Sequence, residues 1–287
     1  MMGSLTNLSD LINRASGGGA GTRESLFFFK NVRINGTAAT APIQGRLHTL
    51  WTFDGFPSGG AVPTTGIIPD NTTQGALKQG SNTSGFQKYL YQFGTTALFG
   101  STFILYDRLF QRGGFSGTTT TAQQVQGNPA TPALTRYNTN ATCVGNMILV
   151  EIHTAIGTTA TTITASYTNQ AGTTGRTTIA TTFGGTANNT QSRAFLLPLA
   201  AGDTGVQAVE SVTVLASTTT AGNFAVSIIR PLAMCGAGAP GLGAFRDFTV
   251  SLPGIPEVVD GACLGLLYLS STTTANEVFG CVSLVEA

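Results

Sequence analysis

Between residues 147 and 285 the chain is cut into short apolar runs closed by Gly, Thr, Asn or Pro. That spacing decides what kind of core it can build. The runs span 147–156, 161–167, 176–182, 193–199, 209–216, 224–229, 245–252, 263–269 and 278–285. In Val212-Thr213-Val214-Leu215 and Phe248-Thr249-Val250-Ser251-Leu252 apolar and polar side chains alternate, the period of a half-buried strand. Many short strands, Gly/Thr turns and almost no helical spacing specify an all-β fold: a jelly-roll-like antiparallel β-sandwich over residues 131–287. Two turns repeat nearly the same text, Ser217-Thr218-Thr219-Thr220-Ala221 and Ser271-Thr272-Thr273-Thr274-Ala275. The repeat reads as one turn solution used twice, ahead of a duplicated domain half; its functional version places both tips on a shared contact surface.

Residues 25–130 read as a more extended β region. Leu26-Phe27-Phe28-Phe29-Lys30-Asn31-Val32-Arg33-Ile34 is a strand run closed by Asn35-Gly36, a strong hairpin signal. Strands return over 86–93 and 98–109. Between them, residues 54–85 are rich in Gly, Pro, Thr and Asn, and a loop of that length is commonly functional or interfacial. Ahead of the strands, residues 1–24 form an N-terminal arm. Leu5, Leu8, Leu11 and Ile12 fall at helical spacing behind a Thr6 or Asn7 cap, and Gly17-Gly18-Gly19 ends the helix. Two isolated helical turns are marginal in water, so the arm needs a surface to dock on, which neighbouring subunits would supply.

Charge narrows the function. Only 9% of residues are charged, against about 25% in an average soluble domain, while there are 37 glycines and abundant threonine. Such a surface resists association weakly and suits a subunit held among neighbours. The formal net charge is +1 and the 14 Lys and Arg are scattered. No basic stripe is present for direct nucleic-acid binding. No apolar run reaches the length of a membrane span, and no basic-then-apolar leader is visible at the N-terminus. Cys143, Cys235, Cys263 and Cys281 are spaced 92, 28 and 18 residues apart, without a C-x-x-C pair, and read as buried free thiols.

The residues needed for catalysis are sparse. His48 and His153 are the only histidines and hence the only side chains with an ordinary pKa near neutrality. Alternation puts Glu151 and His153 on one strand face, read as a polar outer face, and His48 reads as a strand residue. Gly236-Ala237-Gly238-Ala239-Pro240-Gly241 matches a dinucleotide-binding spacing, but a strand pattern follows it where a helix is required. No zinc or calcium spacing occurs. Asp54, Asp70, Asp107, Glu151 and Asp247 cannot be paired by spacing, so a glycosidase-type carboxylate pair is the one catalytic option left open. The expectation is no enzyme, no catalytic or metal-ligating residues and no cofactor.

Several segments resemble virion proteins of tailed bacteriophages. They are Ile104-Leu105-Tyr106-Asp107-Arg108-Leu109, Gly113-Gly114-Phe115-Ser116-Gly117-Thr118 with Thr121-Ala122-Gln123, Ala165-Ser166-Tyr167-Thr168-Asn169-Gln170-Ala171-Gly172-Thr173-Thr174-Gly175-Arg176, Leu197-Pro198-Leu199 and Ala201-Gly202-Asp203-Thr204-Gly205-Val206. The likeness spans roughly residues 86–287, and its motifs are structural, so no functional residue carries over. It implies a virion component, made in the bacterial cytoplasm. The major shell protein of such phages has a long helix and an α+β fold, which this chain lacks. A β-sandwich with an arm fits a head decoration or cement protein. Such proteins are usually trimers, which implies a homotrimer or other homo-oligomer with the major capsid protein as partner. The alternative is a tail, baseplate or fibre protein, with host-glycan binding as an option; a polysaccharide depolymerase is the third reading. The contacts expected to serve assembly are Leu5, Leu8, Leu11, Ile12, Phe27, Phe29, Trp51, Phe53 and Phe56, in the arm, the first strand and the approach to the long loop.

Overall fold

The computed structural model describes residues 5, 7–19, 21–32, 42–126, 133–248 and 254–287. One helix, α1 (Leu8–Ser16), precedes the strands β1 (Arg23–Val32), β2 (Leu47–Thr49), β3 (Gly55–Phe56), β4 (Lys88–Ala97), β5 (Ser101–Phe115) and β6 (Gln123–Gln124). Then follow β7 (Met147–Thr154), β8 (Thr161–Asn169), β9 (Arg176–Thr177), β10 (Thr181–Phe183), β11 (Ala194–Leu197) and β12 (Val206–Val214). The last five are β13 (Asn223–Ala237), β14 (Ala244–Asp247), β15 (Glu257–Val258), β16 (Leu264–Ser270) and β17 (Asn276–Glu286).

The strands form three antiparallel sheets, an all-β sandwich. Sheet A runs β14-β4-β17-β1-β3, sheet B runs β11-β7-β13-β5-β16-β2, and sheet C runs β10-β8-β12-β6. Strands from both sides of residue 130 enter every sheet. The expected hairpin at Asn35-Gly36 lies outside the described residues.

Two 15-residue strands, β5 and β13, lie side by side in sheet B and set the plan. Phe103 and Leu105, with Ala233 and Cys235, pack under sheet A against Phe28, Phe93, Val282 and Leu284. Further along, Phe110, Phe115, Phe224 and Ile228 pack under sheet C against Ile163, Tyr167, Val209 and Val212. Register shifts between Ile228 and Ile229 and between Pro231 and Ala233 let one long strand serve both cores, since a bulge re-aims the side chains beyond it. Between Leu105 of one core and Leu109 of the other, Asp107 takes both carboxylate contacts of Arg136, each 3.0 Å.

The 54–85 segment is not a free excursion. The backbone N–H of Ile67 and that of Gln111 each donate to the other residue's carbonyl at 3.0 and 3.1 Å, and Gly113 N–H donates to Pro63 O. The loop thus continues the edge of β5 where pairing with β16 stops at Leu264–Asp107. Trp51 anchors it: the indole N–H donates to Ala61 O at 2.9 Å. At Gly60 a Cβ would lie 2.3 Å from the indole ring, so only glycine fits there.

The helix forms as expected, but its dock is the chain itself. Asn7 accepts from Asp10 N–H, and Gly17 closes the helix with φ 100°, the N-cap and left-handed C-cap pattern. Leu11 is fully buried, Arg14 donates to Glu286 O and Arg23 donates to Ala15 O. Val285, on the opposite face of β17 from core residue Leu284, is covered although it points away from the core. Leu11→Ala is expected to cost about 2–5 kcal/mol of docking. Limited trypsin digestion should then cut at Arg14 and Arg23 far faster than in the wild type, while the main melting transition stays.

The two Thr-rich turns differ from expectation. Thr218 is buried and donates to Gly117 O, next to the end of β5. Ser271 instead donates to Gly100 O, just ahead of the start of β5. They therefore sit at opposite ends of sheet B and share no surface. Thr219 has φ 78° with no counterpart in the second turn, so the turn solution is not reused either. The glycine motif at 236–241 ends β13 and leads into strand β14.

Candidate assembly face

The strongest candidate for function is the side of sheet A turned away from its core. In β1, Phe28 and Val32 point into the core, so Phe27 and Phe29 point out. Pairing then places side chains in rows across the sheet. One row is Phe27, Cys281, Gly94 and Phe245; the next is Phe56, Phe29, Phe279 and Thr96. None of these eight positions carries a charge. Phe27 and Phe56 are each 66% exposed, Phe245 65% and Phe279 44%. Phe29 and Phe279 stack with ring centroids 4.8 Å apart. The Phe245 ring lies over Gly94, where a Cβ would meet it at 2.6 Å. Large exposed aromatic groups in contiguous rows mark interaction surfaces, because leaving them in water is costly.

The helix flanks this face. Arg14, Ser25, Tyr91 and Val285 line a cleft between α1 and sheet A, and Leu8 and Ile12 remain exposed on the helix. Of the nine side chains expected as contacts, Phe27, Phe56, Leu8 and Ile12 are exposed, and Phe29 and Leu5 are half-buried. Leu11, Trp51 and Phe53 are buried in the chain's own packing and cannot serve as contacts. Apolar character could not separate the two groups, because it predicts burial without naming the partner. Phe245 and Phe279 were missed. Their signal was available: Val278-Phe279 and the Val282, Leu284 alternation make β17 apolar on both faces, the pattern of a strand covered on both sides.

Inside sheet B, beneath Trp51, lies a fully buried polar cluster. Arg108 donates through Nη1 and Nη2 to both oxygens of Glu151, the second at 2.8 Å. It also donates to Ser227 Oγ and Tyr106 Oη, each at 2.6 Å, and stacks 4.3 Å from the Trp51 ring. Burial alone would raise the Glu151 carboxyl, but the adjacent guanidinium outweighs it and holds it at about 2. Glu151 and His153 do share a face, yet it is an interior face: both are buried. Burial lowers His153 to about 4, and neither ring nitrogen has a hydrogen-bond partner among the described residues. A bidentate, fully enclosed pair without access for substrate is a scaffold element. Among the described residues no three His, Cys, Asp or Glu side chains gather to hold a metal, and no described helix is long and apolar enough to cross a membrane.

No protein-family model matches the chain, and no curated protein does. Among solved structures, VP2 of infectious bursal disease virus is similar at 10% identity, covering 93% of this chain and 78% of that one, with a TM-score of 0.18. The VP2 subviral particle gives 10% identity, 94% and 81% coverage and 0.18. The T13 particle of the same virus gives 9%, 98%, 85% and 0.19. Overlaps this slight carry no argument about what this chain does.

Proposed function

We propose that this chain is a structural subunit of a bacteriophage particle, a decoration or cement protein seated on the head shell through the outer face of sheet A and the exposed side of α1. The observation that carries the reading is the uncharged aromatic double row on sheet A, in a chain with only 9% charged residues. A surface of that kind is stable when covered. The likeness of residues 86–287 to tailed-phage virion proteins supplies the particle, and the enclosed charges of sheet B leave the interior to scaffolding.

Replacing Phe27, Phe56 and Phe279 together by Ser is the test. Exposed positions tolerate such changes within about 0.5 kcal/mol each, so the melting temperature should move by only a few degrees. Binding to particles depleted of the protein should fall at least about a hundredfold, because buried aromatic anchors dominate interface energies. Wild-type binding by the folded triple variant would overturn the reading. Copy number in purified particles separates a head protein, present in hundreds, from a tail or fibre component, present in few.

A further inference from the structure

Among the described residues, sheet A ends in two open edges that fit each other. At one edge β1 pairs with β3 only at Phe29 and Lys30. Glu286 N–H donates to Thr22 O, which fixes the even-numbered residues of β1 as those facing β17. The backbone N–H and C=O groups of Ser25 and Phe27 therefore face outward. They open on a cleft of about 630 Å³ walled by Phe27, Phe56 and Pro57 and, opposite, by Gln74 and Lys78. Lys78 is the only charged side chain lining it and has no carboxylate partner among the described residues. Arg23, also exposed, lies just beyond it on β1.

At the other edge lies β14. Phe248 N–H donates to Tyr91 O, so the even-numbered residues there face β4 and the backbone groups of Phe245 and Asp247 face outward. An unpaired strand edge is a template for another strand. Every neighbouring pair along β14-β4-β17-β1 is antiparallel, so β14 and β1 run in opposite directions. We propose that β14 of a second copy docks in the cleft beside β1, joining subunits head to tail into one continuous sheet. The joint is then antiparallel, as in the rest of the sheet. Phe245 already points to the outer face, so in the joint it stands beside Ser25 and diagonal to Phe27, and the aromatic face continues across the subunit boundary. With Ser25 opposite Phe245, Asp247 falls opposite Arg23, and its carboxylate enters a cleft edge that offers Arg23 and Lys78, while the neighbouring Glu24 is already held by Lys88 and the Gly80 N–H. A contact between two different edges is heterologous, so it closes into a ring or grows as a chain.

The proposal goes beyond the shell-binding reading and is tested on the full-length protein without particles. S25P removes an outward N–H, and F245P removes an outward N–H together with the ring over Gly94; edge strands tolerate proline at such outward positions. Circular dichroism should match the wild type. In sedimentation the wild type should run as an oligomer and each variant at the 29.5 kDa monomer mass. In a C281S background, an oxidised equal mixture of S25C and F245C should give a cross-linked dimer that neither gives alone; this holds even if a proline variant fails to fold. A monomeric wild type, or an oligomer untouched by folded S25P and F245P, overturns the proposal. So does a mixture that does not cross-link, as it would not if the cleft took a strand of another virion protein. A monomer that still binds particles would overturn head-to-tail pairing and leave the shell-binding reading standing.

Discussion

Arg108→Ala is expected to destabilise the protein by about 3–5 kcal/mol, the largest effect of any single polar substitution in the chain. Four donated hydrogen bonds and the stacking on Trp51 converge on one guanidinium. Truncating it leaves the Glu151 carboxylate buried without a cation, and an orphaned buried charge costs more than the pair contributes. For a chain of this size the loss corresponds to a fall in melting temperature of roughly 10 °C or more. Glu151→Ala should be comparably severe, because it orphans Arg108 instead. The double replacement Arg108→Met with Glu151→Leu removes both charges and refills the volume, and it should cost less than either single change. Denaturant titration of the four proteins checks this. Additive losses in the double variant would mean that the pair is not coupled.

The second large effect is on pH. His48 and His153 are the only two histidines, and both are held low. Burial and the nearby Arg193 charge bring His48 to about 4, and burial brings His153 to about 4. His48 is positioned as a neutral ring: Ile43 N–H donates to Nε2, so Nδ1 carries the proton it shares with Ser192 Oγ at 3.1 Å. Both folded values lie below the unfolded 6.5. Between pH 6.5 and about 4 the unfolded chain therefore takes up protons that the folded chain does not, and stability falls with pH over that window. The loss is on the order of 3 kcal/mol per histidine. Glu151, lowered from 4.5 to about 2, acts in the next window. Its stabilisation is complete above 4.5 and disappears as pH drops toward 2. His153→Leu removes a ring with two unpartnered nitrogens, so it should be close to neutral at pH 8 and should halve the acid loss at pH 4.5. Melting curves at the two pH values decide; an unchanged acid loss would place the sensitivity elsewhere.

What could be read from the sequence was what is local. Period-two alternation located the strands, and Asn7 and Gly17 bounded the helix, because caps and pleats depend on neighbours within a few residues. Strand partners were hidden, since the pairing of β1 with β17 joins Arg23 to Val285 across nearly the whole chain. The same gap explains Glu151. Alternation put Glu151 with His153 correctly but could not say that the face was interior, because the deciding partner, Arg108, lies 43 residues away. It explains Trp51 and Phe53 too, which look like loop aromatics until the 54–85 segment folds back along β5. Of the candidate face, Phe27, Phe29 and Phe56 were read from the first strand and the loop. Phe245 and Phe279 join them only through pairing in sheet A.

Cys281 offers a direct probe of that face. It sits in the aromatic row between Phe27 and Gly94 and is partly exposed, whereas Cys143, Cys235 and Cys263 are buried. A thiol reagent applied to the free native protein should therefore label Cys281 selectively. Applied to intact particles carrying the protein, the same reagent should leave Cys281 unlabelled, because the rows around it are covered. Equal labelling in free protein and particles would contradict the assignment of sheet A as the surface through which this chain is built into a particle.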